Sequence, residues 1–233
     1  MLIQNDSFNK DYLQLKNKGI YKIKNKLPSD FLKNFVSKNS NRHYTLKLLN
    51  RWEFFRGCNK IFDAGCGNGN FMKLNPFNLK ITGIDSNKKM INVLKKQKLN
   101  VKFSDLNKKL NIEDNSFDGI ACFNVLEHLE NPSLTIREFY RILKKGGRLF
   151  LIVPNLSFKN FHNDYTHKFL FTKISLYNIL RDNGFNNIKI KNGPILESQI
   201  INSILLPFPN FRLKTEFFIG GVFPSEFFAF AYK

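Results

Sequence analysis

Residues 60–69 read Lys-Ile-Phe-Asp-Ala-Gly-Cys-Gly-Asn-Gly. The apolar pair Ile61-Phe62 predicts a short buried strand that stops at Asp63. Glycines follow at alternate positions, Gly65, Gly67 and Gly69. Glycine tolerates positive φ and lets a backbone pass close to a ligand. A strand ending in such a turn is expected to present bare amide N–H groups at its carboxyl end, the edge at which open α/β sheets bind ligands. The dinucleotide fingerprint G-x-G-x-x-G would need its third glycine at position 70, where Asn70 stands. Asp63 would repel a pyrophosphate but suit an ammonium or sulfonium group, so charge favours a cationic nucleoside over NAD. No G-x-x-x-x-G-K-[ST] occurs, which excludes a P-loop.

Further acidic residues fall at the ends of apolar runs. Leu79 to Ile84 predicts a second strand ending at Asp85, 20 residues beyond Gly65 (85 − 65). A carboxylate there is placed to accept both hydroxyls of a ribose. Val101 to Leu106 reads as a third strand with Asp105 near its end, and residues 115–128 as a fourth with the turn that follows. Taken singly, Asp85 and Asp105 read equally well as N-cap or turn residues.

Asp63-Ala64-Gly65-Cys66-Gly67-Asn68-Gly69 resembles the first motif of the class I S-adenosylmethionine (SAM)-dependent methyltransferases. The later motifs follow in order, and the run from Asn115 to His128 resembles the small-molecule, or type 11, branch. The resemblance covers roughly residues 42–192 and a last strand near residue 226. It implies SAM as cofactor and S-adenosylhomocysteine as product. It implies a cofactor site made of Asp63, Gly65, Cys66, Gly67, Asp85, Ser86, Asp105, Leu106 and Phe123, with Asp105 accepting from the adenine amine.

A base is needed only if the acceptor keeps its proton at neutral pH, as a sugar hydroxyl would. The segment Asn163 to Thr172 comes after the fifth strand and contains Asp164-Tyr165-Thr166-His167. The resemblance makes this a substrate-facing loop, with His167, His162 and Asp164 as candidate acid–base groups. His128 is a further candidate, close to the methyl by motif position. The expectation is methylation of a hydroxyl, with His167 in the acceptor pocket. Loop packing or helix capping is the alternative for each of these residues.

The composition fits one α/β domain with some decoration: 233 residues, 42% hydrophobic, and no run long enough to span a membrane. The first residues lack a basic stretch followed by an apolar core, so no signal peptide is expected. The three cysteines, Cys58, Cys66 and Cys122, have neither disulfide pairing logic nor zinc-site spacing. They point to a reducing, cytoplasmic setting and to no metal. The net charge of +19 comes from lysines scattered on expected solvent faces and helix ends. With abundant Asn, Ile, Phe and Lys, it reads as an AT-rich coding bias before it reads as a nucleic-acid surface.

Residues 1–40 are aromatic-rich without clear period and predict a cap, leaving residues 41–233 as the methyltransferase domain. Helices are expected over Tyr44–Phe55, Asn87–Lys98, Ser133–Lys145 and Thr172–Asn183, with Ser133 as a cap and Gly146-Gly147 as a stop. Strands are expected over Arg148–Val153, Phe185–Lys191 and Glu226–Tyr232, with a Pro- and Phe-rich insertion at 193–225. Alternating strands and helices predict a parallel, doubly wound Rossmann-like sheet. The resemblance supplies seven strands in the order 3-2-1-4-5-7-6 with the last strand antiparallel.

No N-P-P-[YF] turn, Pro-Cys nucleophile or paired-glutamate loop marks an amino, cytosine or arginine methyltransferase. A small-molecule or glycan acceptor remains. Leu205 to Pro209 and Phe217 to Ile219 suit a lipid-linked substrate, a membrane interface, a lid or a dimer contact. The rival readings are an RNA methyltransferase using the basic surface and a non-catalytic SAM-binding subunit. The oligomeric state is not legible.

Overall fold

The computed structural model describes residues 51–155, 164–193, 215, 218 and 226–233. The expected cap, most of the expected first helix, His162 and nearly all of the 193–225 insertion lie outside the described residues.

The described chain runs β1 (Lys60–Ala64), α1 (Asn70–Leu74), β2 (Lys80–Asp85), α2 (Lys88–Lys96), β3 (Val101–Phe103), β4 (Phe117–Phe123), α3 (Pro132–Ile142), β5 (Leu143–Pro154), α4 (Lys173–Asp182), β6 (Asn186–Asn192) and β7 (Glu226–Tyr232). Short 3-10 turns sit at Glu53–Phe55 and Leu126–His128. The seven strands form one sheet in the order β3-β2-β1-β4-β5-β7-β6, the expected Rossmann-like topology. Neighbouring pairs are parallel from β3 to β5, and β7 is antiparallel to both β5 and β6.

Period-2 alternation sends successive side chains to opposite faces, and here both faces are buried. Phe62, Ile120, Leu149 and Leu151 join Ile136 and Phe139 of α3 and Leu176 and Leu180 of α4. Ile61, Ala121, Phe150 and Ile152 join Phe71 and Met72 of α1 and Ile91 and Leu94 of α2. Two apolar cores, one per face, make a three-layer sandwich. The strands therefore read as continuous apolar runs, as strands of a covered parallel sheet do.

Three local expectations are corrected. The helix expected over Ser133–Lys145 begins at Pro132, and its cap is Asn131, whose side chain accepts from the Leu134 amide at 3.1 Å. Ser133 instead bonds Asn183. Asn before Pro at the first helical position is the stronger start signal. The helix also ends at Ile142 rather than at Lys145. The Arg141 and Ile142 carbonyls accept from the Asn115 and Ser116 amides at 3.0 and 2.8 Å, and fully buried Leu143 opens β5 opposite Phe117. Finally, β3 stops at Phe103, so Asp105 lies in the turn beyond it.

That turn opens the connection from β3 to β4, which is held by one ion-pair network. Glu138 of α3 accepts from the Leu110 amide at 2.8 Å and from Arg141. Arg141 in turn donates to the carbonyls of Leu110 and Ile112 and to Asp114. The Arg141 guanidinium, helped by the Leu110 amide and against burial, holds the Glu138 carboxyl below its usual range. A depressed folded-state pKa gives stability that is present above the unfolded value and lost as pH falls through the folded one. Arg141→Ala is expected to destabilise the fold by about 1.5–3 kcal/mol, the worth of hydrogen bonds to a charged group. Urea unfolding at pH 7 and again near pH 3 measures it, and the loss should shrink at the lower pH.

Candidate functional site at the carboxyl edge of the sheet

The strand order reverses between β1 and β4, so the carboxyl ends of these two strands flank the topological switch point. The glycine turn after β1 has the conformations its sequence implies, with φ of +76° at Gly65, +51° at Gly67 and +73° at Gly69. A Cβ on Gly65 would lie 2.4 Å from Cγ2 of Val125, the residue that follows the β4 turn. Glycine at 65 thus lets the β1 and β4 loops touch. A Cβ on Gly67 would meet nothing within 4 Å, so that position faces open space.

The expectation of bare amides is not met. Gly65 and Cys66 donate to the Ile84 carbonyl at 2.9 and 2.8 Å, Gly67 donates to the Asp85 carboxylate at 2.9 Å, and Gly69 donates to the Cys66 carbonyl at 2.8 Å. The loop spends these N–H groups on bracing itself against β2. What it offers a ligand is room and carboxylates, which suits a cationic nucleoside better than a phosphate.

Asp63 sits at the centre of this chemistry. It is 3% exposed, and its Oδ2 has no hydrogen-bond partner among the described residues. Burial, reinforced by the charge of Asp85, pushes its pKa up to about 7. A buried carboxylate with a bare oxygen is costly unless something cationic faces it. Asp85, half-buried, accepts from the amides of Gly67 and Asn87 at 2.9 and 2.8 Å, which fixes its carboxylate beside the loop. Ser86 after it is exposed. Asp105 accepts from both the amide and the side chain of Asn107, and Leu106 is buried in the core, its carbonyl accepting from Thr135. Cys66 is buried, with its thiol pushed up by burial and the Asp63 charge. Phe123 closes β4, edge-on to Phe71 and Phe150, with Arg51 over its ring at 5.3 Å.

A second group lies after β4 and β5. Phe171 bridges Asn155, just past β5, which draws residues 164–171 to the same edge. The Lys168 and Phe169 amides donate to the Glu127 carbonyl at 2.7 and 3.1 Å. This seam brings His128, His167 and Asp164 together: the two imidazole centroids are 4.8 Å apart, and His167 Nε2 is 3.7 Å from Asp164 Oδ2. Asp164 is bound more tightly to Thr166, accepting its hydroxyl at 2.6 Å and its amide at 3.0 Å. Burial alone would raise the Asp164 pKa, and these two bonds, with the neighbouring His167 and His128, more than offset it.

The Thr166 hydroxyl has one proton, and that proton goes to Asp164. Its contact with His128 Nδ1 at 2.9 Å is therefore one in which Nδ1–H donates. That tautomer leaves the lone pair on Nε2, 3.9 Å from Oε1 of Glu127. Burial, then the neighbouring His167, pull the His128 pKa below its ordinary value. Sequence reading named His128, His167 and Asp164 but missed Thr166 and Glu127. The D-x-T spacing was the available signal, because Asp commonly bonds the amide two residues on.

Residues 62–151 match a family model described as a methyltransferase domain, of the type 11 family. An uncharacterised protein of Methanocaldococcus jannaschii is 34% identical over 54% of this chain and 64% of its own length. A ubiquinone biosynthesis O-methyltransferase of Dechloromonas aromatica is 30% identical over 44% of this chain and 47% of its own. The matches thus span about half to two thirds of these relatives. A SAM-dependent methyltransferase structure from Archaeoglobus fulgidus superposes with a TM-score of 0.63 at 25% identity, covering 82% of this chain and 93% of that one. Residues 62–151 are thus similar to the type 11 methyltransferase domain, and the fold is the one seen in SAM-dependent methyltransferases. No helix among the described residues is long and apolar enough to cross a membrane.

The state of Asp63 is testable without ligand. Its folded pKa, about 7, lies well above the ordinary aspartate value. The stability linked to its protonated form is present at low pH and lost as pH rises through about 7. Asp63→Asn mimics the neutral acid. Its melting temperature is expected to gain on the wild type steadily between pH 4 and 8, and a constant difference across that range would contradict a buried, elevated carboxyl.

Proposed function

We propose that this chain transfers the methyl group of SAM to a hydroxyl oxygen of a small-molecule or glycan acceptor. The observation that carries the reading is the bare, buried Asp63 carboxylate beneath a glycine turn that opens at Gly67. Bound SAM supplies an electrophilic methyl on a sulfonium centre. Asp63 answers the positive charge of such a ligand, and Gly65, Cys66 and Gly67 leave it space. Asp85 and Ser86 would hold the ribose, Asp105 and Leu106 the adenine, and Phe123 would wall the pocket at the end of β4.

The acceptor side belongs to the cluster after β4 and β5. Asp164 and Thr166 hold the ring of His128 in one tautomer, so Nε2 is the atom that can receive the acceptor proton. The sequence favoured His167 for this task, whereas the relay favours His128, with His167 beside it. The similarity to O-methyltransferases of ubiquinone biosynthesis supports an oxygen acceptor on a small molecule. Positioning the acceptor oxygen against the methyl, with water excluded, would provide most of the rate, up to about 7–11 kcal/mol in favourable systems.

Asp85→Ala removes two oxygens that would accept from the ribose and also frees the Gly67 amide. Its affinity for SAM by calorimetry is expected to fall about tenfold or more, and unchanged affinity would sink the cofactor assignment. Incubating cell extract with methyl-labelled SAM identifies the acceptor pool. His128→Ala should then lower turnover by about 10²–10⁴ with SAM affinity intact, whereas full turnover in that variant would remove His128 from the chemistry.

A further inference from the structure

We propose that the cavity on the outer face of β1, β2 and β3 is a second small-molecule site, which takes an organic anion with a planar apolar body. The cavity reaches Lys60 at the amino end of β1, the opposite end of that strand from the glycine turn. The proposal does not depend on the methyltransferase reading.

The cavity follows from how the sheet is covered. α1 and α2 close one face with Phe71, Met72, Ile91 and Leu94. On the other face α3 packs on β5, and α4 packs on β6 and β7. No helix lies between β3 and β4, so this face of β2 and β3 has only residues 104–116 above it. A space of about 400 Å³ remains there, within the range of about 300–1,000 Å³ typical of small-molecule sites.

The outer wall is held where it stands. Glu138 accepts from the Leu110 amide, Arg141 donates to the Ile112 carbonyl, and the Ser116 amide donates to the Ile142 carbonyl. The Ser116 hydroxyl donates to the Glu113 carbonyl at 2.8 Å. These bonds tie the segment to α3 and keep it from collapsing onto the strands. The space is therefore preformed.

Its lining has two characters. Ile84, Ile112 and Phe117 give an apolar floor and wall. Register puts Lys60, Thr82, Ile84 and Lys102 on one face, because Thr82 lies opposite Phe62 and Lys102 opposite Ile84. The half-buried Lys60 holds its Nζ 5.0 Å from the Phe117 ring centroid, over the apolar wall. Asp114 and Asp118, which flank this wall, are engaged by Arg141 and Lys144. Among the described residues no carboxylate pairs with Lys60 or Lys102. Glu113 is the one carboxylate in the lining and is exposed. Thr82 Oγ1 accepts from Asn100 at 2.9 Å, which leaves its O–H to donate. Two ammonium groups and a hydroxyl donor beside an apolar wall match a carboxylate, sulfonate or phosphate carried on a flat ring body. The ring would lie along Ile84 and Phe117, and the anion would face the two lysines.

Dansylglycine, a fluorescent organic anion with a flat ring body, is the probe. Added to the full-length protein, it should bind one to one with a Kd of about 1 mM or tighter. Dansylamide, which has the same ring system without the carboxylate, should bind about tenfold or more weakly, as should dansylglycine to the Lys60→Gln, Lys102→Gln double variant. Amide NMR spectra of isotope-labelled wild-type protein locate the probe without any substitution. Shifts are expected at Thr82, Lys102, Ser104 and Ser116. No saturable binding, equal affinity for dansylamide, full affinity in the double variant, or shifts centred on Gly65, Gly67 and Gly69 would each overturn the proposal.

Discussion

No side chain fits between residue 65 and Val125. That single steric fact sets the distance between the loops after β1 and β4, because a Cβ on Gly65 would stand 2.4 Å from Val125. Once those loops touch, the glycine turn and the 3-10 turn carrying Glu127 and His128 share one edge of the sheet. The segment containing Asp164, Thr166 and His167 joins them through the Glu127 carbonyl. The glycine turn and the histidine cluster are neighbours because Gly65 leaves room for the Val125 side chain.

Electrostatics then divides the edge. The chain as a whole is strongly basic, at +19. Yet the switch point collects carboxylates: Asp63 and Asp85 on one side, Glu127 and Asp164 on the other. Asp85 and Asp164 are tied down by hydrogen bonds from amides and, for Asp164, a hydroxyl. Asp63 is left with a buried oxygen that has no hydrogen-bond partner among the described residues. The site is a local acidic field inside a positive protein, which concentrates cations where the bulk surface repels them.

Most of the architecture was legible because it rests on local rules. Glycine spacing foretold three positive φ values, acidic strand ends foretold the placing of Asp63 and Asp85, and the apolar runs foretold a sheet covered on both faces. What failed was long-range. Nothing in Ser133–Gly147 says that the carbonyls of Arg141 and Ile142 will be taken by the amides of Asn115 and Ser116, ending the helix at Ile142. Nothing in the glycine loop says that its amides will turn inward to Ile84 and Asp85. The Thr166 relay was hidden for the same reason. Its partners are 38 residues apart, and only the Phe171–Asn155 bridge and the Glu127 carbonyl bring them together.

The position of β7 has a consequence for the order of assembly. This strand comes last among the seven in sequence but sits between β5 and β6, and β6 has no other partner in the sheet. Any partly formed state without β7 leaves two hydrogen-bonding edges open, one on β5 and one on β6, and strips Phe227, Ala229 and Ala231 from the core that α4 helps close. β6 can therefore join the sheet only once β7 is in place, although β6 comes earlier in the sequence.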